Sequence, residues 1–136
     1  MTTSDLQRLE RELTISLPTD YRTLITAYPF PADSFSADCL LPDSADRLLE
    51  LSSARQKLPP HSLIIGDDGA DETCFLDASR EHSPVYVLDV ESGKVRERFA
   101  SLDGYVQHCR KTDEEVSRYA KRVENRKWWQ FWIPKQ

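Results

Sequence analysis

Two short apolar runs flank an acidic turn near the middle of the chain. Leu63–Ile65 ends at Gly66, a turn rich in aspartate follows, and a second apolar run covers Cys74–Leu76. Apolar runs of this length, bounded by glycine and aspartate, are typical of buried strands rather than of helices. The pattern therefore predicts two strands joined by an acidic turn at one end of a sheet.

Two further strands are predicted downstream. Val85–Leu88 is apolar on both faces, which is typical of a central strand. In Val95–Phe99 apolar and charged residues alternate, so we expect Val95, Glu97 and Phe99 on one face and the two arginines on the other. This alternation favours a half-exposed edge strand. Gly93 lies between the two strands and can take positive φ, which favours a hairpin turn.

Before the sheet segment, apolar residues recur with the period of an α-helix. A first helix is predicted over Leu6–Leu13, with Ser4 and Gln7 as its capping box. A second helix is predicted from Pro18, because a proline at the first helical position has no N–H to leave unpaired. Cys39–Leu41 is predicted to be a short strand.

Two more helices complete the pattern. The third opens at Pro42–Ser44, and the last is capped by Ser101. The last helix carries two apolar stripes in the same phase, with Thr112 and Glu115 matching a second capping box between them. The common phase favours one long helix, with two nearly collinear helices as the alternative. Together these elements predict an α+β fold, in which a small, mostly antiparallel sheet packs on N- and C-terminal helices.

The C-terminal end is aromatic. Trp128, Phe131 and Trp132 have helical spacing, but their patch would lie a quarter turn from the preceding stripe at ~100° per residue. We therefore predict a single domain over residues 1–126 and an aromatic tail over residues 127–136. Docking of this tail on the domain's own surface is favoured. An anchor for a partner protein and an anchor at a membrane interface are the alternatives.

The composition and charge of the chain exclude some classes of function and favour others. A single core suits 136 residues, and the net charge of −5 opposes direct nucleic-acid binding, which needs a basic face. The same charge favours a basic protein partner. The three cysteines are widely spaced and two of them fall in apolar patterns, which favours reduced, buried thiols. With no apolar leader and no apolar run of membrane length, we expect a cytoplasmic protein that does not span a membrane.

The sequence predicts no enzyme, no cofactor and no metal site. No nucleophile motif accompanies a serine, histidine and aspartate set, and the three histidines lack ligand spacing. We consider three roles for the acidic turn. Its aspartates can hydrogen-bond the turn N–H groups, which is favoured, or meet basic residues of a partner, or offer oxygen ligands to a metal without the spacing of an EF-hand.

The order of the motifs resembles the SUKH superfamily. The helix start Leu17–Tyr21 (LPTDY), the strand–turn–strand LIIGDDGADETCFLD, the hairpin PVYVLDVESGKV and the helix start at Ser101-Leu102 with Tyr105 all have counterparts there. Two positions depart from the family pattern. Ala70 stands where glycine is common, and Tyr28-Pro29 stands where Asn-Gly is common. The aromatic tail lies outside the common core.

The resemblance implies an α+β fold and a binding function. Bacterial members are typically immunity proteins that neutralise a cognate toxin, and fungal relatives are regulators of cell-wall signalling. We therefore expect a cytoplasmic immunity protein that binds and occludes a protein toxin, for example a basic nuclease domain. The alternative is a non-enzymatic regulatory or scaffold protein that docks other cytosolic proteins. The predicted partner-binding residues are Asp67, Asp68, Asp71, Glu72, Asp77 and Glu81, with Trp128, Trp129 and Trp132 in the tail.

Overall fold

The described residues of the computed structural model are 1–54, 58–67 and 72–122. They form four α-helices, one π-helical turn and four strands. In chain order these elements are α1 (Thr3–Leu13), α2 (Thr19–Thr26), the π-turn (Ser36–Leu40), α3 (Ala45–Ala54), β1 (Ser62–Asp67), β2 (Glu72–Asp77), β3 (Val85–Asp89), β4 (Val95–Phe99) and α4 (Leu102–Arg122). The predicted domain boundary at residue 126 and the aromatic tail lie outside the described residues.

The four described strands form one antiparallel sheet in the order β1-β2-β3-β4. The predicted α+β fold with an antiparallel sheet and helices on both sides of it in the chain is confirmed. The central position of β3 and the edge position of β4 in this sheet are confirmed as well. Because each strand follows its neighbour, both hairpin turns, β1–β2 and β3–β4, lie at the same end of the sheet.

Both faces of the sheet are covered, which explains the continuous apolar runs in β1 and β2. On one face, side chains such as Ile65, Leu76 and Val87 pack with α2, α4 and the π-turn in the main core. On the other face, Ile64 and its neighbours Phe75 and Leu88 pack against Leu51 of α3. The strand residues therefore alternate between two cores instead of between core and solvent.

The π-turn replaces the predicted strand at Cys39–Leu41, which was wrong. Its first residue, Ser36, is fully buried and bonds α4 twice. The N–H of Ser36 donates to Asp113 Oδ1 at 2.9 Å, and its hydroxyl donates to the carbonyl of Cys109 at 3.3 Å. At the other end of the turn, the hydroxyl of Tyr105 donates to the carbonyl of Leu40. The partners in these bonds lie far along the chain, on α4, so the local sequence pattern does not predict the turn.

The start of α1 also differs from the prediction. The capping box is formed by Thr2 and Asp5 rather than by Ser4 and Gln7. Thr2 Oγ1 accepts the N–H of Asp5 at 3.2 Å, and the Asp5 carboxylate accepts the N–H of Thr2 at 3.0 Å. Both pairs have the required spacing, but an aspartate in the first turn also interacts favourably with the helix dipole.

A bulge in β4 breaks the predicted alternation. Phe99 pairs with Val85 and Glu97 pairs with Tyr86, so the register passes over Arg98. Because paired residues share a face, Phe99 lies on the main-core face and Glu97 on the opposite one. The prediction that these two residues share a face was wrong. The bulge lets the ring of Phe99 contact that of Tyr105, with centroids 5.5 Å apart.

The last helix is a single helix of 21 residues, as its common phase predicted. Ser101 caps it through its hydroxyl, which accepts the N–H of Gly104 at 3.2 Å. The second capping box is not used. Thr112 instead donates its hydroxyl to the carbonyl of His108 within the helix, at 2.9 Å.

Candidate partner-binding surface

The predicted acidic residues divide between the two ends of the sheet. Asp67 ends β1 and Glu72 begins β2, so both lie at the end that carries the hairpin turns. Asp77 ends β2 and pairs with Ser62, so it lies at the opposite end, next to the loop that contains Glu81. Five residue steps separate Glu72 from Asp77, which is about 17 Å along a strand. The predicted patch is therefore two groups of acids.

Several predicted residues lie outside the described part of the chain. These are Asp68 and Asp71 in the acidic turn, and Trp128, Trp129 and Trp132 in the aromatic tail. Their role in partner binding stays a prediction.

Glu72 takes part in an ion-pair cluster within the fold. Its carboxylate accepts Arg96 Nη2 at 3.0 Å and Arg98 Nη1 at 3.2 Å. Its side chain is 25% exposed, and the two arginines reach it from β4, across β3. The charge of Glu72 is therefore compensated by residues of the same chain, and a partner would meet it as part of a mixed cluster.

Asp77 holds the turn that follows β2. One of its carboxylate oxygens accepts the hydroxyl of Ser79 at 2.5 Å and the N–H of Ser79 at 3.0 Å. The hydrogen bond from the Ser79 hydroxyl is the main reason that the pKa of Asp77 lies below its ordinary value. Glu81, four residues later, is exposed. At this end of the sheet, Asp77 has a structural partner and Glu81 points to solvent.

Sequence reasoning missed the contribution of the β3–β4 turn to the other end. Asp89 pairs with Glu72 in the sheet, so the acids of the two hairpins are neighbours. The carboxylate of Asp89 accepts the N–H groups of Glu91 and Ser92, at 2.9 and 3.2 Å, and holds the turn. Glu91 itself is exposed. The signal that could have found this is topology, because every second turn of an antiparallel meander lies at the same end of the sheet.

Two exposed apolar side chains lie at the same end. Val90 is 46% exposed and Val95 is 42% exposed, and they are the exposed large hydrophobic residues of the described chain. Val95 belongs to a register row that crosses all four strands. The row consists of Asp67, Thr73, Leu88 and Val95. We name Asp67, Val90, Glu91 and Val95 the turn-end surface.

The described residues offer no metal-binding arrangement. Within 1–54, 58–67 and 72–122, no three or more His, Cys, Asp or Glu side chains are grouped so that they could hold a metal ion. In the same ranges, no helix combines the length and the apolar character needed to cross a membrane.

Glu10 stabilises the connection between α1 and α2. One carboxylate oxygen of Glu10 accepts the N–H of Leu17 at 2.9 Å and Arg22 Nη2 at 2.6 Å. These bonds tie α1 to Leu17 in the connection before α2 and to Arg22 within α2. The hydrogen bond from Leu17 is the main reason that the pKa of Glu10 lies below its ordinary value.

Comparison with known proteins agrees with the motif order. The sequence pattern of the SMI1 / KNR4 family (SUKH-1) matches residues 1–108, which is most of the chain. Comparison with curated proteins and with solved structures found no match. The matched region runs from α1 through the first turns of α4 and contains the whole described sheet. The chain therefore belongs to the SMI1 / KNR4 family (SUKH-1).

Proposed function

We propose that this protein is a cytoplasmic immunity protein that binds a cognate protein toxin and neutralises it by occlusion. The family includes immunity proteins, and its members typically bind toxins. The single observation that carries the proposal for this chain is the turn-end surface. Two exposed valines and the exposed Glu91 lie on the β3–β4 hairpin, at the same end of the sheet as Asp67, which ends β1. Apolar area bordered by charge is the usual composition of a protein–protein interface.

The acids of this surface suit a basic partner. Asp67 and Glu91 lie on the two hairpins, and the sequence places Asp68 and Asp71 between β1 and β2. The whole chain carries a net charge of −5, so a basic toxin would be attracted from a distance as well as at contact. Such attraction speeds association and weakens as salt is added.

The size of a typical interface decides how far the contact extends. About 800 Å² per partner corresponds to a disc roughly 30 Å across. A toxin centred on the turn-end surface would therefore also reach towards the opposite end of the sheet, about 17 Å away. We place Asp77 and Glu81 at the rim of the contact, where single charges contribute less than at the centre.

Neutralisation requires no chemistry from this chain. A bound immunity protein excludes substrate from the toxin by covering its active site, and tight binding is enough. The family is generally non-catalytic, which agrees with a binding role.

The first test identifies the toxin. A neighbouring gene that encodes a secreted protein with a toxin-like C-terminal domain supplies the candidate. Co-expression of this chain with that domain should restore growth, and the two purified proteins should form a stoichiometric complex. Continued growth arrest with both proteins present would contradict the proposed function.

The second test locates the contact. Val90→Lys together with Glu91→Lys should slow association on the order of tenfold at low salt. Asp103→Lys, at the exposed start of α4, is the charge-reversal control. It lowers the net negative charge without altering the turn-end surface, so it should slow association much less. Glu72 is unsuitable for reversal, because a lysine there would face Arg96 and Arg98. Circular dichroism verifies that each variant is folded. Unchanged association of the turn-end variant would place the contact elsewhere without affecting the function.

A further inference from the structure

A groove lies between the segment that leads into the π-turn and the C-terminal half of α4. It is open to solvent along one side, has a volume of about 650 Å³ and is mostly apolar. Pro31 and Phe35 line one wall, while Val116 and Ala120 line the other. Val116 and Ala120 are half-buried, so α4 presents an apolar stripe that the described residues cover only in part.

The walls of the groove are held in place by buried contacts. Ser36 follows Phe35 directly and is bonded to α4 through the carboxylate of Asp113 and the carbonyl of Cys109. Ser36 is fully buried, so these bonds are shielded from water. These bonds therefore hold Ser36, and with it the wall that contains Phe35, against α4.

The groove is acidic at its rim. Asp33 and Asp38 are exposed on one side, and Asp113 lies on the other. None of the described lining residues is basic. An occupant of this groove should combine apolar side chains with positive charge.

The aromatic tail has this composition. Its apolar side chains are Trp128, Trp129, Phe131, Trp132 and Ile133. With the preceding Arg126, the tail contributes three of the chain's 18 basic residues and none of its 23 acids. The tail is thus apolar like the walls of the groove and opposite in charge to its acidic rim.

The tail also begins close enough to reach the groove. The described part of α4 runs to Arg122, two residues beyond the lining residue Ala120. Residues 123–126 are enough for a chain reversal, since connections between packed helices need roughly 2–8 residues. The lining residues of α4, from Asp113 to Ala120, extend about 10 Å along the helix. Ten tail residues cover about 15 Å as a helix, and more when extended.

We propose that the aromatic tail, residues 127–136, docks in this groove of its own chain. The short connection gives the tail a high effective concentration at the groove, on the order of millimolar, which favours it over a separate partner. The proposal stands independently of the immunity function, because the groove and the turn-end surface share no residue.

The tryptophans make the proposal directly measurable. All three tryptophans of the protein are in the tail, so intrinsic tryptophan fluorescence of the full chain reports on the tail alone. For the wild type we expect blue-shifted emission and weak quenching by acrylamide, both independent of protein concentration.

Two groove variants test the location. Ala120→Glu, in the apolar wall, and Asp38→Lys, at the exposed rim, should each shift the emission to the red and increase quenching. Ala100→Glu, at an exposed position before α4, is the matched control and should leave both unchanged. Circular dichroism determines whether Ala120→Glu is folded. If it is not, Asp38→Lys still tests the location.

Each other outcome overturns the proposal. Red, easily quenched emission in the wild type means that the tail is exposed. Blue emission that neither variant changes means that the tail packs elsewhere. Emission that becomes blue only as the protein concentration rises assigns the groove to the tail of a second copy. Emission that becomes blue only with vesicles containing phosphatidylserine indicates a membrane anchor.

Discussion

The backbone of Gly66 lies directly against the carbonyl group of Leu40. A Cβ atom added to Gly66 would be 2.0 Å from the oxygen of Leu40 and 2.5 Å from its carbonyl carbon. The same oxygen accepts the hydroxyl of Tyr105, so it cannot move away without breaking that bond. The register of β1 shifts at Ile64–Gly66, and this irregularity sets the strand against the π-turn.

Gly66→Ala should therefore destabilise the protein severely. The methyl group would meet backbone atoms rather than a flexible side chain, so we expect a loss of about 3 kcal/mol or more in the free energy of unfolding. Gly93→Ala is the control. Gly93 has φ +71°, and a Cβ added there would have nothing within 4 Å, so only backbone strain of about 1 kcal/mol applies. Urea denaturation measures both, and equal losses would contradict the close contact.

Glu10→Gln should weaken the junction between α1 and α2. The wild-type carboxylate accepts Leu17 N–H and Arg22, and the variant loses the charge that strengthens both bonds. We expect a loss of about 1 kcal/mol in the free energy of unfolding at pH 7. Glu12→Gln is the control, because its ion pair with Arg8 is exposed and should contribute much less to stability.

The effect of Glu10→Gln should depend on pH. Because folding lowers the pKa of Glu10, its stabilisation is complete above the pKa of an unfolded glutamate, roughly 4.3. It is lost as the pH falls through the folded pKa. The difference between the wild type and the variant, measured by urea denaturation, should therefore shrink below about pH 4. A difference that stays constant down to about pH 3 would exclude this linkage.

His108 should make the protein less stable in mild acid. Burial, and then the nearby Arg98, lower the pKa of its imidazole, while Glu115 acts in the opposite direction. The ring is half-buried beside those of Phe99 and Tyr105, at centroid distances of 5.3 and 6.3 Å. The unfolded chain therefore binds this proton more readily, and the stability falls as the pH drops through roughly 6.5.

His108→Gln isolates this effect from the other two histidines. Between about pH 8 and pH 5.5, the melting temperature of the wild type should fall more than that of the variant. Gln107→Ala is the control, because this exposed neighbour on α4 has no titratable group, and it should follow the wild type. If the profile of His108→Gln also follows the wild type, His108 does not destabilise the folded state in acid.

The elements that were predicted correctly are those with a strong local pattern. The runs at Leu63–Ile65 and Cys74–Leu76 became β1 and β2, and the common phase of the last helix became α4. The elements that were missed depend on distant contacts. The π-turn is held by Asp113, which is 77 residues from Ser36, and the bulge in β4 places Phe99 against Tyr105 of the next helix. No window of the sequence contains both partners of the π-turn contact.

The same distinction between local patterns and distant contacts applies to the residues of the candidate surface. Asp67 and Glu72 could be identified from the acidic turn, because aspartate and glycine are what a tight turn requires. Val90 and Glu91 could not, because they join this surface only through the order of the strands. Glu72 looked like one more exposed acid, and its pairing with Arg96 and Arg98 became visible only when β2 and β4 were placed in one sheet.

The sequence by itself determined the four α-helices and the four strands of the described chain, because periodicity and turn residues act over a few neighbouring positions. The order of its motifs also determined the family. Only the tertiary structure decided which charges remain available to a partner, where apolar side chains stay exposed, and which groove lies beside the end of α4. These properties depend on distances between residues far apart in the chain, and packing alone sets those distances.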